Sequence, residues 1–104
     1  MAQYPANYTW LLEKYGTVMK MHQELGRAVR EAGPIDEKNA QLVQLAAAAA
    51  MRAEGSVHSH AKRAMAAGAS PDEVCHAIVL LTSTIGFPAV AAALSWVREI
   101  IEEE

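Results

Sequence analysis

The chain has 104 residues, of which 52% are hydrophobic, and its formal net charge is −3 at pH 7. A chain of this length suits one domain with a single small core, and its scattered lysines and arginines provide no basic surface for nucleic acid. Cys75 is its one cysteine and has no partner for an internal disulfide, and the N-terminus lacks the basic and apolar order of a signal peptide, so we expect a cytoplasmic protein.

Helix is predicted from residue 8 to about residue 32, because apolar side chains recur at helical spacing between charged ones. Gly16 is a candidate for a division within this segment. Gly33 and Pro34 end it, since proline restricts the residue before it and cannot continue a hydrogen-bonded helix. Asp36 is the predicted N-cap of a second, alanine-rich helix that reaches about Arg52.

A short break is predicted next, at Glu54, Gly55 and Ser56. Glycine weakens helix propensity, and a serine is a good residue to cap a new helix start. We therefore expect a third helix that begins at Ser56 and ends at Gly68, a residue suited to the left-handed position after a helix.

The clearest local signal is the run Ser70-Pro71-Asp72-Glu73. It combines a capping serine, proline at the first helical position and a glutamate three residues after the serine, which is typical of a helix start. The sequence predicts that this helix continues to about Ile85.

Residues 77–97 carry no charged side chain and are numerous enough to cross a bilayer. Gly86-Phe87-Pro88 interrupts them, so two buried helices joined by a tight turn explain the run better, and no membrane partner is expected. The last helix then runs from Pro88 to the acidic end. No segment shows the alternation of a strand. We predict an all-α fold, a compact bundle of five to six helices in a single domain over residues 1–104.

Ser56, His58 and His60 form an unusual cluster at the predicted start of the third helix. Ser56 and His60 are four residues apart and share a helix face, and free backbone N–H groups at a helix start favour an anion. In one interpretation His60 is a general acid and base, and Ser56 orients a charged substrate. In the other, His58 is an exposed polar residue and His60 is a buried histidine that a neighbour satisfies.

Metal chemistry would have to draw on Glu54, His58, His60 and His76. His58 and His60 diverge on a helix, and Glu54 points elsewhere if the helix begins as late as Ser56. No HExxH-type spacing is present. We therefore predict no metal site and no cofactor.

Four segments follow one another along the chain in a recognisable order and spacing. They are Ile35-Asp36-Glu37-Lys38, then His60 with Arg63-Ala64-Met65-Ala66-Ala67-Gly68-Ala69, then Ser70-Pro71-Asp72-Glu73, and finally Ile85-Gly86-Phe87-Pro88. This order resembles the carboxymuconolactone decarboxylase and alkylhydroperoxidase-D-like family. The resemblance is strongest over residues 34–97.

In the peroxidase branch of that family, the resemblance implies a glutamate, a CxxC pair and a histidine four residues after the second cysteine. These positions fall on Gln41, Ala53, Ser56 and His60, so only the histidine is kept. Peroxide reduction by this route requires a thiolate and a second cysteine to close a disulfide. Thiol peroxidase activity is therefore disfavoured, and through Cys75 it would need a second molecule.

The decarboxylase branch removes carbon dioxide from a carboxylated lactone and delivers a proton to the resulting dienolate, which suits a histidine beside an anion-binding helix start. The resemblance thus favours proton transfer, decarboxylation or lactone chemistry on a small carboxylated substrate. His60 and Ser56 are the expected catalytic residues, and His58 and Gln41 the expected substrate contacts. The alternative is a member of the family that only binds a ligand or serves as a scaffold.

The resemblance also implies a homo-oligomer, a trimer or hexamer built by packing helices across subunits. The alanine run and the uncharged residues 77–97 supply more apolar surface than so small a core readily hides. A copy of the same chain and a small carboxylate are therefore the expected partners.

Overall fold

The structure of the protein is a computed structural model that describes residues 6–103. The first five residues, which belong to the segment judged to lack a signal peptide, and Glu104 lie outside the described residues. Over the described range the chain forms helices and turns but no strand, which confirms the all-α prediction. It divides into two units, residues 1–34 and residues 35–104.

The first unit contains two helices, α1 (Ala6–Lys14) and α2 (Gly16–Glu31). They are separated at Tyr15, whose backbone leaves the helical region with φ −127° and ψ 48°, so the suggested division beside Gly16 is confirmed. α2 carries an apolar face along one side. The side chains of that face stay more than half exposed, among them Val18, Leu25 and Val29.

The second unit contains the remaining five helical segments. They are α3 (Glu37–Ala50), α4 (Glu54–Ala66), α5 (Pro71–Val79), α6 (Thr82–Ile85) and α7 (Phe87–Glu103). Because α6 is a single turn, the described chain has six longer helices, which agrees with the predicted five to six.

The turn between α3 and α4 differs from the prediction. α3 is capped by Asp36, whose carboxylate accepts the N–H of Asn39 at 2.9 Å, and it ends at Ala50. Arg52 then adopts φ 55° and reverses the chain, so glycine is not needed for the turn. α4 consequently begins two residues early, at Glu54, and Ser56 lies inside its first turn rather than at the N-cap.

The start of α5 is as predicted. The Ser70 hydroxyl accepts the N–H of Glu73 at 3.0 Å, and the Glu73 carboxylate accepts the N–H of Ser70 at 2.8 Å. This reciprocal capping box satisfies two donors that a helix start otherwise leaves unpaired. Lys38 adds an ion pair from α3 to Glu73, with 3.2 Å between Nζ and Oε2.

The predicted end of α5 is wrong, because the helix stops at Val79 instead of continuing to about Ile85. The hydroxyl of Thr82 donates to the Val79 carbonyl at 2.7 Å, so a side chain takes the place of a backbone partner there. Gly86 makes the predicted turn with φ 92°. No helix in residues 6–103 is long and apolar enough to span a membrane.

The core of the second unit lies between α3, α4, α5 and α7. Small residues such as Ala49, Ala61 and Ala93 are fully buried, which lets the helices approach closely. Burial of each larger aliphatic side chain stabilises the fold by about 1.5–3 kcal/mol. These fully or almost fully buried larger side chains are Leu45, Val57, Val74, Ile78, Val90, Val97 and Ile100.

Candidate active site

His60 lies on α4 and is half-buried, beside the fully buried Ala61. Its Nδ1 atom is 2.7 Å from Oε1 of Gln41 on α3. The pairing brings together two of the residues that were expected in the site, His60 and Gln41. The ring orientation is therefore set by a contact between two helices of the core.

Gln41 is fully buried, with no exposed surface. Its Nε2 atom donates to Oε1 of Glu37 at 2.8 Å, one turn earlier on α3. His60, Gln41 and Glu37 thus form a chain of hydrogen bonds from the partly exposed imidazole to a carboxylate.

The chain of hydrogen bonds assigns the proton on His60. An ionised carboxylate only accepts hydrogen bonds, so the Gln41 atom that faces Glu37 is the amide nitrogen. The carbonyl oxygen of Gln41 then faces His60, and Nδ1 must be the nitrogen that carries hydrogen. In the neutral ring, the basic nitrogen is consequently Nε2.

Ser56 is exposed in the first turn of α4, one turn before His60. The first turn also contains Glu54, whose negative charge occupies the end of the helix where an anion would be favoured. The Nδ1 atom of His60 bonds to Gln41 rather than to the serine hydroxyl. The structure therefore keeps Ser56 on the same helix as His60 but gives it no part in the hydrogen-bond chain to Glu37.

His58 contacts a different helix from His60, as their spacing on α4 predicts. Its Nε2 atom is buried and lies 3.1 Å from Oε2 of Glu99 on α7, although the approach is not aligned for a regular hydrogen bond. Because α4 begins at Glu54, that residue and His58 share a face, contrary to our expectation from a later helix start. The four predicted site residues thus separate, with Gln41 beside His60 and His58 beside Glu99.

An open groove of about 380 Å³ lies between α3 and α5. Its lining residues are mainly aliphatic, and the polar ones among them are Asn39, Glu73 and His76. Neither His60 nor Ser56 lines it. The residues that line the groove are Asn39, Leu42, Val43, Ala46, Glu73, His76, Ala77, Leu80 and Leu81.

Cys75 is half-buried on α5 and is not disulfide-bonded. Burial raises the pKa of its thiol above the ordinary value, and the nearby negative charge of Asp72 raises it further. Both influences oppose formation of the thiolate, which is the reactive form. The thiol environment is the reverse of what a peroxidatic cysteine requires.

Sequence reasoning gave no role to two of the residues in these contacts, Glu37 and Glu99. Glu37 precedes Gln41 by four positions, a spacing that predicts side-chain contact on a helix. Glu99 has no comparable signal, because its contact with His58 joins α4 to α7 across the fold.

The model of the carboxymuconolactone decarboxylase family matches residues 16–99. No curated protein is similar enough in sequence to match the chain. The family match covers most of the chain, and it includes both residues of the Gln41 and His60 pair. The chain therefore belongs to the carboxymuconolactone decarboxylase family.

Proposed function

We propose that the protein is an enzyme that transfers a proton during decarboxylation or lactone chemistry on a small carboxylated substrate, with His60 as the acid and base. The observation that carries this proposal is the hydrogen bond of 2.7 Å between His60 and the buried Gln41. It fixes Nδ1 of the ring on Gln41, so the proposal assigns proton exchange to the other ring nitrogen, Nε2.

In the proposed reaction the bond between carbon and the carboxylate breaks, and carbon dioxide leaves. The electron pair of that bond enters a dienolate, to which the protonated Nε2 of His60 gives its proton. The ring then recovers a proton from solvent. Positive charge on the imidazolium is supported through Gln41 by the Glu37 carboxylate, since the amide dipole lies between them.

The other expected site residues take revised parts in this proposal. Ser56 is exposed one turn before His60, and its hydroxyl would bind a carboxylate or lactone oxygen. Gln41 acts as a positioning residue, because a side chain without exposed surface does not reach substrate. His58 is left out, since its ring lies against Glu99.

The test is carbon dioxide release from a panel of small carboxylated lactones and 3-oxo acids by purified protein. We expect His60→Ala to abolish turnover with an unchanged helical circular dichroism spectrum. His76→Ala is the matched control, because His76 lies on α5 in the groove and should leave turnover intact. Equal turnover in His60→Ala and the wild type would refute the proposal, as would the lack of any release from the panel.

We also propose that the active form is a homo-oligomer, a trimer or hexamer, in which the chain works as one domain over residues 1–104. The apolar face of α2 supports this, since Val18, Met21 and Leu25 are each more than 60% exposed. Isolated exposed aliphatic residues are ordinary, but a continuous face on one helix is typical of an interface. Light scattering on the wild type and on Leu25→Glu measures the assembly, and a monomeric wild type contradicts it.

A further inference from the structure

Three side chains that bind metal ions in many proteins meet where the first turn of α4 packs near the end of α7. They are Glu54 and His58 on α4 and Glu99 on α7. One potential ligand atom from each lies within 4.8 Å of the other two. We propose that these three residues bind a divalent zinc ion.

The arrangement depends on where α4 begins. A start at Ser56 would leave Glu54 outside the helix, but the observed start at Glu54 puts its side chain one turn before His58 on the same face. Glu99 then approaches from α7, so two ligands come from one helix and a third from its neighbour. The site thus has the usual form of a short-range pair completed by a distant residue.

The distances are close to what zinc requires. Zinc binds imidazole nitrogen and carboxylate oxygen at about 2.0–2.2 Å, which separates two ligand atoms of a tetrahedral site by roughly 3.4 Å. His58 Nε2 and Glu99 Oε2 are already 3.1 Å apart. The Glu54 side chain is exposed, and its ligand atom lies within 4.8 Å of those of His58 and Glu99.

The Nε2 atom of His58 is poorly satisfied by the protein groups around it. Nε2 is buried and makes no regular hydrogen bond within residues 6–103, although Glu99 is near. A buried polar atom without an aligned partner is costly, and a metal ion on its lone pair removes that cost. The zinc ion would therefore use a nitrogen that the protein contacts leave poorly satisfied.

Charge favours the same conclusion. The two carboxylates, Glu54 and Glu99, carry two negative charges, which one divalent cation neutralises. The neighbouring cation in sequence, Arg98, is directed at Glu102, with its guanidinium 3.1 Å and 3.2 Å from Oε2. These hydrogen bonds therefore pair Arg98 with Glu102 and not with Glu99.

Imidazole together with carboxylate is a ligand set suited to zinc, and three protein ligands leave a fourth position for water. Binding would connect α4 to α7 and hold the helix that carries His60. The site lies on the opposite side of α4 from the Gln41 contact. Zinc binding can therefore be tested independently of the proposed proton transfer.

The experiment is titration of metal-free protein with zinc chloride against a chromophoric chelator, with thermal unfolding measured in parallel. We expect one zinc ion per chain and a rise in the unfolding midpoint. Glu54→Gln, His58→Asn and Glu99→Gln should each weaken affinity at least about tenfold, the usual effect of losing one ligand contact or its support.

Asp72 and His76 provide a matched control, because they have the same four-residue spacing near the start of α5. Within residues 6–103 they are not part of a group of three such ligands. Asp72→Asn and His76→Asn should therefore leave zinc affinity unchanged, and so should His60→Ala.

Glu54→Gln is the decisive variant. Glu54 is exposed, so the change should not impair folding, and an ordinary ion pair between His58 and Glu99 does not need it. Unchanged zinc affinity in this variant would overturn the three-ligand site. Absence of stoichiometric zinc in the wild type, or an equal loss in His76→Asn, would overturn it as well.

Discussion

Oε1 of Gln41 and Nδ1 of His60 are 2.7 Å apart, and this hydrogen bond joins α3 to α4 beside the buried core. Replacing Gln41 with leucine keeps a side chain of similar size but leaves the imidazole N–H without its acceptor. Loss of one partner of a buried hydrogen bond costs about 1–3 kcal/mol. We expect Gln41→Leu to lower the free energy of unfolding by that amount in urea titrations.

Gln44 offers the matched control one turn later on α3. Its Oε1 atom is buried and accepts no hydrogen bond from residues 6–103. Replacing a side chain whose polar atom is already unsatisfied is expected to be neutral or stabilising. If Gln44→Leu destabilises the protein as much as Gln41→Leu, the hydrogen bond to His60 is not the cause of the loss.

A second prediction concerns the position of the carboxylate in the chain of hydrogen bonds from His60 through Gln41 to Glu37. The double variant Glu37→Gln with Gln41→Glu keeps the net charge but moves the carboxylate next to the imidazole. A negative charge at hydrogen-bonding distance favours imidazolium, so His60 should titrate at a higher pH than in the wild type. NMR titration of the ring protons measures this, with the two single variants for comparison. An unchanged titration would contradict the contact.

The sequence predicted a helix start correctly where the cap is formed by side chains only a few residues apart. Ser70 and Glu73 form their capping box within four residues, and Asp36 caps α3 within the same distance. The start of α4 was missed because Arg52, with φ 55°, makes the turn. The sequence-based prediction instead put the break at Glu54, Gly55 and Ser56, because glycine weakens helix propensity and serine is a good helix cap.

The candidate site was predictable only in part, for a related reason. The resemblance aligned Gln41 and His60 with a glutamate and a histidine of the peroxidase branch, and the structure brings the two residues into contact. The contact between His58 and Glu99 joins residues 41 positions apart and carries no local pattern. The end of α5 at Val79 was also not predictable, because the uncharged residues 77–97 do not indicate which backbone carbonyl the Thr82 hydroxyl will donate to.

A third prediction concerns acid stability. The Ser70 N–H, and then Lys38, hold the pKa of Glu73 below its ordinary value of 4.5. A lowered pKa in the folded state means that ionised Glu73 stabilises the fold above its unfolded-state pKa, and that this contribution is lost as the pH falls through the folded-state pKa.

The free energies of unfolding of the wild type and of Glu73→Gln, measured in urea between about pH 2 and pH 7, test this. Their difference should be constant at neutral pH and should change below about pH 5 in the direction that destabilises the wild type. Lys38→Met should reduce the pH-dependent part without removing it, because the Ser70 N–H remains. Parallel curves for the wild type and Glu73→Gln would exclude the proposed contribution.

A fourth prediction concerns Cys75, whose pKa is raised by burial and by Asp72. At neutral pH its thiolate fraction should be below that of an exposed cysteine, so a disulfide reagent such as DTNB should react slowly. Unfolding in urea should restore the rate, and Asp72→Asn should raise it slightly in the folded protein. The wild type and Cys75→Ser should also consume peroxide at the same background rate. Faster consumption by the wild type would contradict this prediction and indicate that the Cys75 thiol reacts with peroxide.

The last prediction compares two glycines in the second unit. Gly86 has φ 92° and ψ 156°, a region that is essentially restricted to glycine, although an added Cβ would meet only Pro88 Cδ at 3.9 Å. Gly55 lies in the first turn of α4, and an added Cβ there meets no atom within 4 Å. Gly86→Ala should therefore destabilise the protein by about 1–3 kcal/mol through backbone strain alone.

Gly55→Ala should instead stabilise the protein by about 0.5–1 kcal/mol, because alanine has fewer unfolded conformations to lose and fits the helix without a clash. Urea unfolding of both variants gives opposite shifts in the midpoint if the two backbone conformations are as described. Since neither change removes a side-chain contact, the comparison isolates the backbone. Equal destabilisation by the two variants would contradict the helical backbone conformation of Gly55.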